Sequence, residues 1–190
     1  MYMLEEACKA LRRWLDEGKQ VVPLSVNQSR LHMFNPRYLQ KILQITDKYN
    51  IPHHLLDFEI TESAVMNDVG QVQQQFKQLR GQGFLTSMDD FGSGFSSLNL
   101  LKNIEADTIK IDKGFFDEAF ASEDGKFIVS SVIKLVKQLG FGVIAEGIET
   151  SEQVEYLIQC NCDRVQGYYF GKPVPLEVFE QQHLSKLQQE

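Results

Sequence analysis

The stretch Phe84–Lys102 reads FLTSMDDFGSGFSSLNLLK. It opens on a short apolar run, Phe84–Met88, with the length and composition of a strand. Two adjacent carboxylates, Asp89 and Asp90, end that run. Gly92 and Gly94 then allow tight bends, and the serines around Phe95 suit the cap of a following helix near Leu98–Lys102. The stretch is therefore a strand, a loop and a helix in that order, with acid placed where strand meets loop.

The same order recurs on both sides of it. Upstream, Val21–Val26 is a strand candidate that runs into Asn27-Gln28-Ser29, and Leu55–Ile60 is another that runs into Thr61-Glu62-Ser63. Downstream, Thr108–Ile111 leads to Asp112-Lys113, Phe141–Ala145 to Glu146-Gly147, and Arg164–Phe170 is a sixth strand. Helices fill the intervals. Met3–Gly18 spaces Leu4, Ala7, Leu11 and Leu15 at helical period, and Asn35-Pro36 reads as a cap followed by proline at the first helical position. A polar helix turns Val72, Phe76 and Leu79 inward, its glutamines Gln71–Gln78 forming a solvated face. Phe127–Leu139 is an apolar helix, Thr150-Ser151-Glu152-Gln153 has capping-box spacing, and Pro175 opens a last helix. Such alternation predicts a parallel sheet, either a (β/α) barrel or a doubly wound sheet. Polar groups gathered at strand C-terminal ends favour the barrel, and no strand is followed by the glycine fingerprint of dinucleotide binding.

Composition bounds the function. The 190 residues are 43% hydrophobic and 24% charged, with 19 basic against 26 acidic side chains and a net charge of −7. That acidity argues against a nucleic-acid or membrane-surface binder. The start, Met1–Arg12, is amphipathic rather than a secretory leader, and no apolar run is long enough to span a bilayer. An odd number of cysteines, with Cys160 and Cys162 too close for zinc spacing, predicts free thiols in a reducing cytoplasm.

The strand-end residues are Asn27, Glu59, Asp89 with Asp90, Lys110, Glu146 with Glu149, and Gln166. They recur at roughly the length of one βα unit, so each strand delivers its group to one rim. Carboxylates converging there repel one another in a low dielectric, and divalent cations relieve that repulsion. Oxygen donors favour Mg²⁺ or Mn²⁺ over zinc. Adjacent Asp89 and Asp90 suit a bridged pair of ions, the arrangement that activates water for phosphoryl hydrolysis, with Lys110 orienting that water or countering phosphate charge. A single acid after a strand is commonly a helix cap, and Glu62, Glu149 and Asp112 each admit that reading.

The segments SVNQS, LDFEITES, MDDFGSGFSSLNLL, IKIDKGF, VIAEGIET and RVQGYYFGKP resemble the EAL-domain family, from about Leu4 to Phe179. The resemblance implies a (β/α)8 TIM-barrel-like fold that hydrolyses cyclic di-GMP to linear pGpG with two ions, Mg²⁺ or Mn²⁺. It implies that Asn27, Glu59 and Asp89 hold one ion, and that Asp89 bridges to a second held also by Asp90. By the same resemblance Lys110 contacts the nucleophilic water, Glu146 serves as base or metal ligand, and Glu149 completes the catalytic set. Gln166, Asp112 and Ser25 are implied in substrate binding. Glu62 is implied to steady a loop that includes Phe91, Gly92, Ser93 and Gly94, which in the family links the active site to the dimer interface.

One family feature is missing: no Glu-Ala-Leu occurs among the 190 residues, and in the family that glutamate is a metal ligand. Eight-stranded barrels typically take about 250 residues. The sequence therefore predicts an incomplete α/β barrel of about six βα units, lacking the first two strands, with an EAL domain over 1–180 and a polar tail over 181–190. It predicts weak metal binding and very low hydrolysis by the isolated chain. The alternative is a noncatalytic module that binds cyclic di-GMP or a protein partner. Open barrel edges invite self-association or a strand-completing partner. The expected setting is the bacterial cytoplasm.

Overall fold

The structure, a computed structural model, describes residues 1–93, 100–120 and 122–184. Six strands are hydrogen-bonded in chain order: β1 Leu24–Asn27, β2 Leu56–Thr61, β3 Leu85–Phe91, β4 Thr108–Ile111, β5 Gly142–Ala145 and β6 Arg164–Val165. The pairs β3–β4, β4–β5 and β5–β6 are parallel. Helices alternate with them, which is the α/β order read from the sequence. The chain divides into two compact units.

The first unit comprises Met1–Phe58, Gln78–Leu85 and the stretch from Pro173. Helix α1 (Tyr2–Asp16) buries Leu4, Cys8, Leu11 and Trp14. The buried face is thus turned from the predicted Ala7 and Leu15, which are half-buried. The C-terminal segment explains the turn: the Trp14 indole donates to Glu180 Oε1 at 2.7 Å and packs against Phe179 at 6.2 Å. The segment Glu180–Leu184 is a π-helical turn with Leu184 buried. A short helix, α2 (Arg30–Met33), follows β1. Helix α3 (Tyr38–Lys48) starts later than Asn35-Pro36 predicts. Asn35 instead closes a turn, its side chain accepting from the Arg37 N–H at 2.8 Å and its carbonyl from the Tyr38 N–H at 2.9 Å. Such local side-chain bonds compete with helix.

The second unit comprises Glu59–Lys77 and Thr86–Lys172. It holds α4 (Glu62–Asn67), α6 (Lys113–Ala119), α7 (Glu123–Gln138) and α8 (Ser151–Gln159), with most of α5 (Val69–Gly81). Val72 and Phe76 of α5 are buried as predicted. Strand β4 is buried on both faces through Ile109, Lys110 and Ile111, as interior parallel strands are. Ile133 and Val136 of α7 and Val143 of β5 are fully buried. Helix α7 begins before the predicted Phe127, capped by Ser122, whose hydroxyl accepts from the Gly125 N–H at 3.1 Å. The capping box forms as predicted: Thr150 Oγ1 accepts from the Gln153 N–H, and Gln153 Oε1 from the Thr150 N–H.

Strand β6 stops at Val165, short of the predicted Phe170. Gly167 lies so close to Ile148 that a Cβ would sit 2.0 Å from its carbonyl oxygen. The Tyr169 N–H donates to that oxygen and the Phe170 N–H to Gly167, so the chain turns instead of extending. Strand β3 runs past the predicted Met88 to Phe91. Gly94, and Leu98 and Asn99 of the helix predicted at Leu98–Lys102, lie outside the described residues, while Leu100 and Leu101 are helical and buried. Leu176–Phe179, after Pro175, forms α9.

Candidate metal and phosphoryl-transfer site

The second unit gathers charged side chains at the C-terminal ends of its strands. Consecutive residues of a strand normally point to opposite faces, so Asp89 and Asp90 need a special backbone to act together. The β3–β4 ladder supplies it. Met88 pairs with Ile109 and Phe91 with Ile111, and the register shifts between them. Two residues of β3 therefore stand against one of β4, a bulge that re-aims side chains. Asp90 sits in the left-handed region at φ 58°, a conformation that aspartate tolerates better than most residues. Oxygens of Asp89, Asp90 and Glu146 consequently all lie within 4.8 Å of one another.

Opposite the bulge stands Lys110. Its ammonium lies 2.7 Å from Glu146 Oε1, 3.0 Å from Glu59 Oε1 and 3.1 Å from Asp89 Oδ1. Glu59 and Lys110 are buried, and Asp89 and Glu146 half-buried. The Asp89 contact is off the line of a hydrogen bond, which leaves a buried carboxylate oxygen with charge contact but no donor aligned on it. Burial pulls the Lys110 ammonium down, but its hydrogen bond to Glu146 and the charge of Glu59 outweigh this and hold it above the ordinary lysine range. Burial raises the Glu146 carboxyl, opposed by Lys110. Burial also raises Asp90, reinforced by the negative charges of Asp89 and Asp112.

The remaining sequence candidates fall around this centre. Glu62, the buried first residue of α4, accepts from the Gly92 N–H at 2.9 Å through Oε2. Gly92 has φ 93°, and a Cβ there would meet the Phe115 ring at 3.0 Å. Phe91 is buried, and the Ser93 N–H donates to the Asp90 carbonyl at 3.2 Å. Asp112 caps α6, accepting from the Gly114 N–H at 2.8 Å. Glu149 is exposed and pairs with Lys113 at 2.5 Å, a partner the sequence reading did not single out. Gln166 is exposed, its backbone bonded to Ala145 and Ile148. Ser25 and Asn27 are exposed residues of β1, in the first unit.

The donor set fits a divalent ion. Asp89, Asp90 and Glu146 offer only hard oxygen ligands, which suit Mg²⁺ or Mn²⁺, and the half-buried Asp89 retains an oxygen without an aligned donor.

An α/β chain with parallel strands and a carboxylate cluster at their C-terminal ends has the architecture of barrel-type folds, which carry their sites at that rim. Residues 1–173 match the EAL domain family, and the chain belongs to it. A bifunctional diguanylate cyclase/cyclic di-GMP phosphodiesterase of Pseudomonas aeruginosa, MucR, is 36% identical over 93% of this chain and 26% of its own length. The solved MucR phosphodiesterase in complex with c-di-GMP superposes with TM-score 0.85 at 35% identity, over 94% of this chain and 72% of that one. The EAL domain of Mycobacterium smegmatis DcpA gives TM-score 0.87 at 32% identity, over 96% and 82%. The chain spans about a quarter of the length of the curated relatives it matches. Among the described residues, no helix is long and apolar enough to cross a membrane.

Proposed function

We propose that this EAL domain binds cyclic di-GMP at the strand ends of its second unit and hydrolyses it to linear pGpG. One observation carries the reading: the bulge of β3 turns two consecutive carboxylates, Asp89 and Asp90, toward Glu146 within 4.8 Å. Asp89, Asp90 and Glu146, with Glu59, would hold two Mg²⁺ or Mn²⁺ ions. Such ions, when bound, lower the pKa of water and neutralise charge on the phosphoryl oxygens.

The residues of the chain account for the rest. Glu146, beside Lys110 at the site, accepts a proton from the attacking water. The water oxygen forms a new bond to phosphorus while the bond from phosphorus to the ribose 3′ oxygen breaks, and the proton taken by Glu146 passes through solvent to that oxygen, which leaves as a hydroxyl. Lys110, held cationic, stands where it can counter negative charge gathering on the phosphate. Asp112 and Gln166 contact the nucleotide. Glu62 fixes Gly92 and so the loop beside the site. The domain works in the bacterial cytoplasm, and its edge strands β1 and β6 pair with a second copy or a completing strand.

The test is chromatographic detection of pGpG from cyclic di-GMP in Mn²⁺ or Mg²⁺, beside calorimetric binding in Ca²⁺. The expected result is saturable binding with slow turnover, since no Glu-Ala-Leu ligand lies among the 190 residues. Asp89→Asn should remove the turnover that remains. Binding without any pGpG would assign the chain to the noncatalytic alternative, and no binding at all would overturn the reading.

A further inference from the structure

Lys110 makes three contacts of a kind that a metal ion makes. Its ammonium lies within 3.1 Å of carboxylate oxygens from three strands, Glu59 on β2, Asp89 on β3 and Glu146 just after β5. Two of those carboxylates belong to the cluster able to hold a cation, whose third member is Asp90. The ammonium is almost entirely withdrawn from water, with the Lys110 side chain only 6% exposed. A cluster of this kind without any cation would carry uncompensated buried charge, which is strongly destabilising.

We infer that Lys110 is the resident counter-cation of the metal-free site, and that a divalent ion binds by displacing its ammonium from Asp89 and Glu146. This rests on the reading of Asp89, Asp90 and Glu146 as metal ligands. It adds a competition: the fold supplies a positive charge that stabilises the empty site and opposes the metal. Displacement also puts the ammonium to use, because a lysine released from two carboxylates is free to face the phosphate. Lys110 is then a metal-gated group that reports occupancy of the site. Asp90 makes no contact of this kind with Lys110, so an ion can engage Asp90 first and draw Asp89 and Glu146 from the lysine.

The test is Mn²⁺ binding to the full chain, followed by the electron paramagnetic resonance signal of the free ion, with no substrate present. Lys110→Met keeps the length and apolar stem while removing the charge. The inference expects Lys110→Met to bind Mn²⁺ at least about tenfold tighter than the unaltered chain, a conservative effect for removing a unit charge a few ångströms away at an effective dielectric near 20. It also expects the metal-free variant to melt at a lower temperature and Mn²⁺ to restore it. Equal or weaker Mn²⁺ binding by Lys110→Met, with the unaltered chain still binding, overturns the inference and leaves the metal-site reading standing. No Mn²⁺ binding by either overturns both. If Lys110→Met does not fold, lysine-selective ¹³C NMR of the unaltered chain decides. The Lys110 ε-methylene resonance, assigned through contacts to Ile109 and Ile111, must move as Mg²⁺ saturates the site, and a resonance unmoved at saturation overturns the inference.

Discussion

Asp90 holds two burdens at once. Its backbone is left-handed at φ 58°, and its carboxyl is raised by burial and by the charges of Asp89 and Asp112. A carboxyl whose folded pKa lies above its unfolded value stabilises the fold only while protonated. That stability is fully present below the unfolded value near 3.8 and is lost as pH rises through the folded pKa. At neutral pH Asp90 is therefore a stability cost. Asparagine tolerates the same backbone and carries no charge. Asp90→Asn should stabilise the metal-free chain at pH 7 by about 0.5 kcal/mol, a small figure because the group is largely solvated, and its advantage should vanish toward pH 3. It should also abolish the response to Mn²⁺. Urea unfolding at both pH values checks this, and a variant less stable at pH 7 would contradict it. Nothing in the one-dimensional pattern reveals the burden. The sequence marks Asp89 and Asp90 as acids at a strand end, but whether neighbours on a strand can share a ligand depends on register. Register comes from the pairing of Met88 and Phe91 with β4.

At the scale of elements, close backbone approaches decide where helices and strands begin and end. A Cβ on Gly125 would lie 2.3 Å from the carbonyl oxygen of Ala119. Helix α7 can therefore start beside the end of α6 only because residue 125 has no side chain. Gly125→Ala gains helix propensity but forces backbone apart, and the net cost should be about 2 kcal/mol. Thr150→Ala, which removes a cap and half of the box at α8, should cost about 1 kcal/mol. Both are read from the midpoint of denaturant unfolding, and the order of the two costs is the stringent part. The same scale explains which elements are legible beforehand. Thr108–Ile111 is read to the residue because a run buried on both faces and bounded by Asp107 and Asp112 has a single strand assignment. The capping box is legible because both of its bonds are local. The end of β6 is not, since Gly167 halts the strand through Ile148, a contact no local pattern contains. The face of α1 is equally hidden: Trp14 turns inward toward Glu180, 166 positions away.

For the whole molecule, the net charge of −7 raises the question of whether added cations act generally or at one place. General screening depends on ionic strength and falls equally to monovalent and divalent salts matched for it. A site of three oxygens within 4.8 Å instead follows mass action, because an ion that binds only the folded chain stabilises it in proportion to the logarithm of its excess over Kd. At a tenfold excess the gain is about 1.4 kcal/mol, which for a chain of this size is a rise in Tm of roughly 3–6 °C. The chain should show that rise with Mn²⁺ and not with NaCl of the same ionic strength. Asp89→Asn should lose the Mn²⁺ effect while keeping its response to NaCl, since one charge in a set of 26 acidic residues barely alters screening. Equal responses to the two salts in the unaltered chain would mean that the acidity is diffuse and that the cluster of Asp89, Asp90 and Glu146 holds no ion. A Tm rise confined to Mn²⁺ and tied to Asp89 would locate part of the net charge in a site built to be neutralised.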